Sequence, residues 1–451
     1  MPRWIIGLLL AGCGTPVATP DSAPAPVADT VATTGPDAMP SPSPSPSPSP
    51  SPSPSPEPTP DPPPAPETPF PTRYPRGALH SPLSPYVVDR LRAIAVNAAP
   101  RFSRVGDSIT VSPSFLDCFA AAAVDYGAHP EWQAAAQTFA ASFPRASLAA
   151  KGGWAAFNVL GGTTSPLDKE IAAYDPSFAV VMLGTNDSAY GPASYDFFAY
   201  ADDMFEIVDA LIASGVVPIV SSIPPRTNNP TAAARVPSYN SFLRGLAEAR
   251  QIPFVDYYTP MLALPNKGLS GDGVHPSVKS GAPCDLAAAY GYNLRNAVTI
   301  EALHRAKAVV LDGAAAPDPA GVRLAGSGTS ADPIIIDALP FAHAADTSRA
   351  PQDVIEGYPA CDQGQNESGG EVIYRLTLTA ATTITARVVD PGAPDIDVHL
   401  LRADGTCLAR AHRSLTLALD AGSYALSLDT FVSGGSAKAG EYLLLVDEEP
   451  E

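Results

Sequence analysis

The apolar positions of the chain follow three different patterns. Residues 14–69 contain almost nothing apolar enough to build a core, and Ser and Pro alternate without a break over residues 41–56. Between residues 70 and 312, apolar runs alternate with segments in which apolar residues recur at helical spacing. From about residue 326 the helical period disappears and short β-rich runs take over. The pattern predicts a flexible segment followed by two folded regions of different class.

The middle region predicts alternating strands and helices. Helices are expected at 86–98, 195–213, 238–250 and 290–309, with a long Ala-rich helix beginning after Ser112-Pro113. Strands are expected at 101–105, 146–150, 178–183, 216–223 and 253–256. The run at 178–183, FAVVML, is wholly apolar, as buried strands of a parallel sheet are. This alternation predicts an α/β domain over residues 70–312, a parallel sheet covered by helices on both faces.

The last region predicts only strands. They are expected at 371–378, 382–389, 397–401, 415–419, 423–428 and 441–446. Turn formers such as Asp404-Gly405 and Ala421-Gly422 separate them. Residues 313–325 are then a linker, and residues 326–451 are expected to form a small antiparallel β-sandwich.

Residues 1–13, MPRWIIGLLLAGC, predict export. Arg3, a short apolar run and small residues before Cys13 have the order of a secretion signal, and the run is shorter than the roughly 20 residues that cross a bilayer. The ending Leu-Ala-Gly-Cys resembles the lipobox of bacterial lipoproteins. This resemblance implies a signal peptide at 1–12, a diacylglycerol on Cys13 and, because Gly14 is not Asp, a cell-envelope position at the outer membrane. A simple signal peptide with an incidental Cys is the alternative.

Residues 13–69 are expected to be a disordered Ser/Pro-rich linker. Alternating Ser-Pro favours polyproline II at about 3.1 Å per residue, so the repeat alone would span roughly 50 Å. Such a segment fits a stalk between a membrane anchor and the folded part, with binding to a Pro-recognition module as the weaker alternative.

The chain has 451 residues, more than one ordinary domain has. Its formal net charge of -19 limits the kinds of partner it can bind. Phosphate backbones would be repelled by such a surface, so we expect no nucleic-acid partner.

The cysteine count fits an oxidising compartment. Five cysteines leave four once Cys13 is assigned to lipid, and four allow three pairings. Because Cys118 and Cys284 fall in one predicted domain and Cys361 and Cys407 in the other, we expect those two bridges. Free buried thiols are the alternative.

Three loops of the predicted sheet carry unusual residues. Ser108 lies in GDSIT between a strand and a helix, Asn186 lies in GTND directly after the apolar strand, and Asp272 and His275 lie in GDGVHP. A serine hydroxyl needs an adjacent base, which is usually a His oriented by a carboxylate. An Asn side chain and backbone N–H groups can stabilise the oxyanion that forms. Each motif alone is common, but active residues of open parallel sheets lie at the carboxyl ends of strands, and all three motifs follow strands of one sheet.

These motifs resemble blocks I, III and V of the SGNH/GDSL hydrolase superfamily: GDSIT at 106–110, GTND at 184–187 and DGVHP at 272–276. The segment VVPIVSSIPPR at 216–226 also resembles the strand and loop that these enzymes have between blocks III and V. The likeness covers about residues 100–310 and implies a flavodoxin-like three-layer sandwich. It implies Ser108 as nucleophile, His275 as base and Asp272 as its partner, with Ser108 and Asn186 in the oxyanion hole.

The block II glycine is ambiguous. GGTT at 161–164 resembles one form of the block, but Lys151-Gly152-Gly153 stands where the block should, after the second strand and before a helix. We expect Gly153 to complete the oxyanion hole, with Gly161 as the alternative.

No other chemistry is indicated. The Gly-x-Ser-x-Gly pattern is absent around Ser108, no His-Glu-x-x-His motif occurs, and we expect neither a metal nor a cofactor. PDIDVHLL at 394–401 resembles the bacterial pre-peptidase C-terminal sandwich. There Asp395, Asp397 and Asp404 offer a calcium site, although an acidic strand edge is the preferred interpretation.

The expected function is therefore a secreted, lipid-anchored serine esterase acting through an acyl-enzyme. Its substrates would be carboxylic esters, with carbohydrate O-acetyl groups, short acyl chains and lipids all open. The alternative is a surface lipoprotein with an inactive hydrolase fold that acts in binding or adhesion. The complete set of Ser, Asn, Asp and His argues against that alternative.

Overall fold

The computed structural model describes residues 71–95, 98–120, 124–191, 195–361 and 364–448. All of them belong to one compact unit, Pro66–Glu451. The predicted signal peptide, the Cys13 lipid site and the Ser/Pro-rich linker lie outside the described residues.

The described residues contain helices and strands in two successive groups. The helices are α1 (Pro85–Ile94), α2 (Ser108–Val111), α3 (Trp132–Thr138), α4 (Ala156–Leu160), α5 (Pro166–Tyr174), α6 (Phe197–Ala213), α7 (Pro230–Arg250), α8 (Tyr258–Leu262) and α9 (Gly291–Val310). The strands of the first group are β1 (Phe102–Gly106), β2 (Phe178–Met182), β3 (Val217–Ser221) and β4 (Phe254–Val255). The strands of the second group are β5 (Ile334–Ile336), β6 (Phe341–Asp346), β7 (Glu371–Leu378), β8 (Thr382–Val389), β9 (Ile396–Arg402), β10 (Cys407–Ala411), β11 (Ser414–Leu419), β12 (Gly422–Thr430), β13 (Val432–Ser433), β14 (Ser436–Ala437) and β15 (Glu441–Glu448).

The first group forms the predicted α/β domain. Strands β1 to β4 lie side by side in chain order, and all their pairs are parallel. An isolated parallel bridge joins Gly106 to Ala150, at the free edge of β1. With that segment counted as the second strand, the order is the 2-1-3-4-5 of flavodoxin-like folds. Residues of β1, β2 and β3 are buried throughout, as apolar strands between two helical layers are.

Two predicted elements are wrong or reduced. In place of the long Ala-rich helix after Ser112-Pro113, the described residues have a 3-10 turn at Asp117–Ala120 and the short helix α3, and residues 121–123 lie outside the described part. The helix cannot form there because Leu116 has a φ of 65° and its N–H donates to Asn296 Oδ1 at 2.9 Å. The expected strand at 146–150 is reduced to the Ala150 bridge.

Long helices cover the sheet. The longest helix, α7, has Asn229 as its N-cap and starts at Pro230, eight residues before the start that the sequence predicts. It continues through Pro237 without interruption. No helix in the described part of the chain has both the length and the apolar character needed to span a bilayer.

The second group forms a β-sandwich, as predicted. One sheet has the order β10-β9-β12-β7-β5 and the other β11-β8-β15-β6, and every pair is antiparallel except β5–β7. Tyr374, Leu400, Leu426 and Leu444 are buried in the core between the sheets. Strands β5, β6 and β10, and the short hairpin β13–β14, were not predicted.

The sandwich packs directly on the α/β domain. Ala342 of β6 and Leu443 and Leu445 of β15 are buried in the same apolar cluster as the α/β core. They face Gly245 of α7, where an added Cβ would lie 3.0 Å from the Cβ of Ala342. The two predicted domains therefore meet in one apolar cluster, while the sandwich keeps a second core between its sheets.

Both expected disulfides are present. Cys118 is bonded to Cys284 across a sequence separation of 166, and Cys361 is bonded to Cys407 across 46. Each lies within one of the two domains.

Candidate active site

Ser108 lies at the point where β1 ends and α2 begins. Gly106 allows this tight turn, because a Cβ there would lie 2.8 Å from the carbonyl oxygen of Met182. Asp107 is the N-cap, and its Oδ1 accepts from the Ile109 N–H at 2.9 Å. Ser108 is the first residue of the helix, so its own N–H has no acceptor within the helix.

Three of the predicted residues form one hydrogen-bonded chain. His275 Nε2 lies 2.9 Å from Ser108 Oγ, and His275 Nδ1 lies 2.6 Å from Asp272 Oδ2. His275 and Asp272 are 41% and 50% exposed, so the site opens to solvent. A hydroxyl, an imidazole and a carboxylate in this order can remove the hydroxyl proton as the oxygen attacks an electrophile.

The Asp272 carboxylate is held by its own loop. Its Oδ1 accepts hydrogen bonds from Ser270 Oγ at 2.8 Å and from the N–H groups of Val274 and His275 at 3.0 Å. Desolvation opposes ionisation, but the bonds from His275 and these donors outweigh it and hold the pKa of Asp272 well below its usual range. The carboxylate therefore stays charged and fixes the orientation of the His275 ring.

Asn186 follows β2 and faces the turn before α4. Its Nδ2 donates to the Trp154 carbonyl at 2.8 Å. The next residue, Asp187, is buried, and its Oδ1 accepts from the Ala156 N–H at 2.7 Å. Burial raises the pKa of Asp187 to about 7. Asp187 thus ties the Asn186 loop to the start of α4.

The structure separates the two candidate block II glycines. Gly153 lies in the turn at 151–154, where its φ is 80°, and an added Cβ on its neighbour Gly152 would lie 3.9 Å from Ser108 Cβ. Gly161 is the C-cap at the opposite end of α4. The turn that borders Ser108 is therefore the one that contains Gly153, and Gly152 is the glycine of that turn that faces Ser108.

Sequence reasoning missed the buried Arg295 of α9. Its guanidinium donates to the Ile109 carbonyl at 2.7 Å and to Thr110 Oγ1 at 3.1 Å, and it lies 3.6 Å from the Phe115 ring centroid. Burial lowers its pKa to about 10. These contacts fix α2 and hence Ser108. The only signal in the sequence was a charged residue among the core positions of a long helix.

A second missed residue, Arg226, connects two loops of the site. Arg226 follows β3, and its Nη1 donates to the carbonyl of Thr185, next to Asn186. The following residue, Thr227, donates its N–H to the Gly273 carbonyl at 2.9 Å. The segment therefore positions Asn186 and the loop of Asp272 together. Its place after a strand of the sheet was the available signal.

The sequence of residues 105–280 matches the GDSL-like Lipase/Acylhydrolase family. No curated protein matches the chain. Among solved structures, a GDSL-like lipase from Bacteroides thetaiotaomicron is similar at 21% identity, over 49% of this chain and 99% of that one, with a TM-score of 0.33.

Two further solved structures are similar at lower identity. An acetylxylan esterase from Geobacillus stearothermophilus has 15% identity over 46% of this chain and 96% of its own, with a TM-score of 0.33. A two-domain esterase active on acetylated mannans has 14% identity over 81% and 95%, with a TM-score of 0.32. The identification rests on the family match: residues 105–280 are a GDSL-like lipase/acylhydrolase domain, an ester hydrolase domain of the SGNH type.

Proposed function

We propose that this protein hydrolyses carboxylic esters through a covalent acyl-enzyme on Ser108. The hydrogen-bonded chain from Asp272 through His275 to Ser108 Oγ carries the proposal. It supplies a nucleophile, a base and the carboxylate that orients the base.

In the first half-reaction, Ser108 Oγ attacks the ester carbonyl carbon while His275 Nε2 takes the hydroxyl proton. The tetrahedral intermediate collapses, the C–O bond to the alcohol breaks, and His275 returns the proton to the departing alkoxide. Water then attacks the acyl-enzyme with His275 again as base, which releases the carboxylic acid and regenerates Ser108. Asp272 keeps its charge throughout and stabilises the imidazolium.

The oxyanion hole is proposed to consist of the Ser108 N–H, the Asn186 side chain and a backbone N–H of the turn at 151–154. Asn186 Nδ2 uses one hydrogen on the Trp154 carbonyl and has a second for the oxyanion. Gly153 remains our candidate for the backbone donor. Loss of one such donor costs about 10²–10³-fold in kcat.

Hydrolysis of p-nitrophenyl acetate by the purified chain tests this mechanism. The Ser108→Ala variant should lose at least about 10³-fold in kcat, because no nucleophile remains. Ser114→Ala is the matched control, because Ser114 lies on the same segment as Ser108. Asn296 Nδ2 donates to the Ser114 carbonyl at 2.9 Å, and the substitution keeps this carbonyl. Activity of Ser108→Ala equal to that of Ser114→Ala would refute the mechanism.

For the substrate, we propose short-acyl esters of bulky polar alcohols, with O-acetylated carbohydrate first. The triad is open to solvent, and the turn before α4 leads to aromatic side chains: Phe157 is 37% exposed, and its ring lies 6.0 Å from that of Tyr190. Exposed aromatic faces pack well against sugar rings. A panel of acetyl, butyryl and octanoyl esters beside acetylated xylan and mannan tests this. Preference for octanoyl esters would contradict it.

We also propose that Cys13 carries a lipid that holds the enzyme at the cell envelope, at the outer membrane, with the Ser/Pro-rich segment as a stalk. The support is the sequence of residues 1–13 and the composition of residues 13–69. Labelled palmitate should be incorporated into the wild type in a bacterial host and not into Cys13→Ser. Equal labelling of the variant would refute the anchor.

A further inference from the structure

Two aspartates and a histidine meet at one edge of the β-sandwich. Asp395 precedes β9, Asp397 lies on β9, and His412 lies in the turn between β10 and β11. One oxygen of each carboxylate and a ring nitrogen of His412 all lie within 4.8 Å of one another. His412 Nδ1 is 2.9 Å from Asp395 Oδ1 and 3.5 Å from Asp397 Oδ1. Tetrahedral ligand atoms that each lie about 2 Å from one ion are about 3.3 Å apart, and the two distances from His412 lie on either side of this value.

The Asp397 carboxylate is buried and only half satisfied. Its side chain is 1% exposed, and its Oδ2 pairs with Arg410. Its Oδ1, which faces His412, is inaccessible to solvent and has no hydrogen-bond partner among the residues that the structure describes. A buried carboxylate oxygen without a partner is costly unless a cation compensates it. This oxygen is therefore an independent indication of a cation.

The charged groups around Asp395 and Asp397 also indicate a cation site. Glu367 and Asp390 are buried beside them, and the nearby cations are Arg410, 3.4 Å from Glu367, and Arg413, 3.3 Å from Asp390. Carboxylate groups are therefore concentrated around Asp395 and Asp397, which favours the binding of a cation.

We propose that Asp395, Asp397 and His412 bind one divalent first-row transition-metal ion, with Zn²⁺ the best fit. An imidazole nitrogen among the ligands favours such an ion over Ca²⁺ or Mg²⁺, which prefer oxygen alone. Two carboxylate oxygens and one imidazole leave the fourth tetrahedral position to water. Asp404, which the sequence grouped with the two aspartates, is not part of this set: its Oδ1 accepts from the Thr406 N–H at 2.9 Å in the turn after β9.

The site has a structural role in this proposal. Arg413, next to His412, lies 3.9 Å from Asp202 of α6, and its guanidinium lies 5.4 Å from the Phe198 ring centroid. A metal that joins β9 to this turn would fix the segment that touches the α/β domain. Metal binding should therefore raise the thermal stability of the whole described unit. The proposal is independent of the ester chemistry.

Zn²⁺ binding to the full chain, first treated with EDTA and dialysed, tests the proposal by calorimetry and thermal unfolding. We expect one ion per chain and a higher Tm with Zn²⁺. His412→Ala and Asp395→Asn should each weaken binding by about 10²-fold or more and abolish the Tm response. Both side chains are partly exposed, so the variants should keep the wild-type Tm in EDTA.

His129→Ala is the matched control. His129 is exposed to a similar extent, 51% against 53% for His412, and among the described residues its carboxylate partner is Glu131 alone, at 3.0 Å. This variant should bind Zn²⁺ like the wild type. Wild-type affinity in His412→Ala, no Zn²⁺ binding by the wild type, or a Tm response to Ca²⁺ alone would each overturn the proposal.

Discussion

At Asp272, hydrogen bonds from Ser270, Val274 and His275 keep a half-exposed carboxylate ionised and aimed at one ring nitrogen. The orientation of the His275 ring therefore depends on a negative acceptor at that position. An amide of the same shape would present a donor to Nδ1 and favour the wrong tautomer.

Asp272→Asn should lower kcat for p-nitrophenyl acetate by about 10²–10⁴-fold with little change in KM. The loss belongs to the transition state, because the substrate does not touch Asp272 in the proposed mechanism. Steady-state kinetics at constant pH measures it, with unchanged Tm as evidence of folding. A variant with wild-type kcat would show that His275 needs no carboxylate.

The raised pKa of the buried Asp429 carboxyl makes the stability of the protein depend on pH. Burial raises the pKa of Asp429 to about 8; the Tyr358 hydroxyl, 2.6 Å from its Oδ2, opposes this shift, and Glu371 adds to it. The folded state thus holds a proton that the unfolded state loses near pH 4. This contribution to stability is fully present below about pH 4 and is lost as the pH rises through about 8.

Asp429→Asn removes this titration. Relative to the wild type, the variant should gain at least about 1 kcal/mol of unfolding free energy between pH 5 and pH 9. Urea denaturation at both pH values gives the difference. A constant difference between the two proteins would contradict the raised pKa of Asp429.

The motifs predicted the residues of the site but not their supports. Ser108, Asp272 and His275 were accessible from sequence because a serine, a carboxylate and an imidazole stand in short motifs, and the structure joins them by hydrogen bonds. Arg295 and Arg226 were not, because each acts through backbone carbonyls that only the folded chain brings near. Position along the chain favoured Gly153 over Gly161 as the block II glycine, and in the structure the turn that contains Gly153 is the one that borders Ser108.

At the scale of elements, strong period-two and apolar runs predicted the strands β2, β7 and β8 almost to the residue. The helix predicted for the Ala-rich segment after Ser112 was wrong because tertiary contacts outweigh helix propensity. Asn296 binds both the Leu116 N–H and the Ser114 carbonyl. Strand β6, FAHAAD, was missed because alanines give no period.

The disulfide Cys118–Cys284 connects the segments that follow the nucleophile and the base. Cys118 lies ten residues after Ser108, and Cys284 lies nine residues after His275. Replacing both cysteines by Ala should lower stability by about 2–5 kcal/mol and also lower kcat, because the two segments lose their covalent connection.

The second bridge provides the control for the first. Removal of Cys361 and Cys407 should lower Tm, but it should leave kcat at the wild-type value, because these residues lie in the sandwich. Thermal unfolding and ester kinetics of the two double variants distinguish the cases. Equal effects on kcat would show that Cys118–Cys284 does not support the site.

At the scale of the molecule, the sequence predicted two domains and a linker, and the structure adds an apolar contact through which sandwich residues join the α/β core. Gly245 of α7 allows this contact, because any side chain there would approach Ala342 and Leu445 within 3.0 to 3.2 Å. The interface between two domains depends on which of their surfaces meet, and the hydrophobic periodicity of the sequence does not predict which surfaces these are. Asp318 of the predicted linker is itself held, by Arg305 at 2.6 Å.

Gly245→Leu should lower the stability of both domains together by about 1–3 kcal/mol, through overpacking of the contact between them. Gly357→Leu is the control, since a Cβ on Gly357 meets nothing within 4 Å. Calorimetry should show one transition that moves to lower temperature only in Gly245→Leu. Two separate transitions in the wild type would contradict an interface that couples the two domains.

The central claim is that the triad activates Ser108, and covalent labelling by a fluorophosphonate tests it most directly. Attack by Ser108 Oγ on phosphorus would form a P–O bond and release fluoride. We predict one adduct per folded chain, mapped by mass spectrometry to the peptide that contains Ser108 and absent from Ser108→Ala and His275→Ala. A folded wild type without an adduct, or an adduct that persists in Ser108→Ala, would contradict the account.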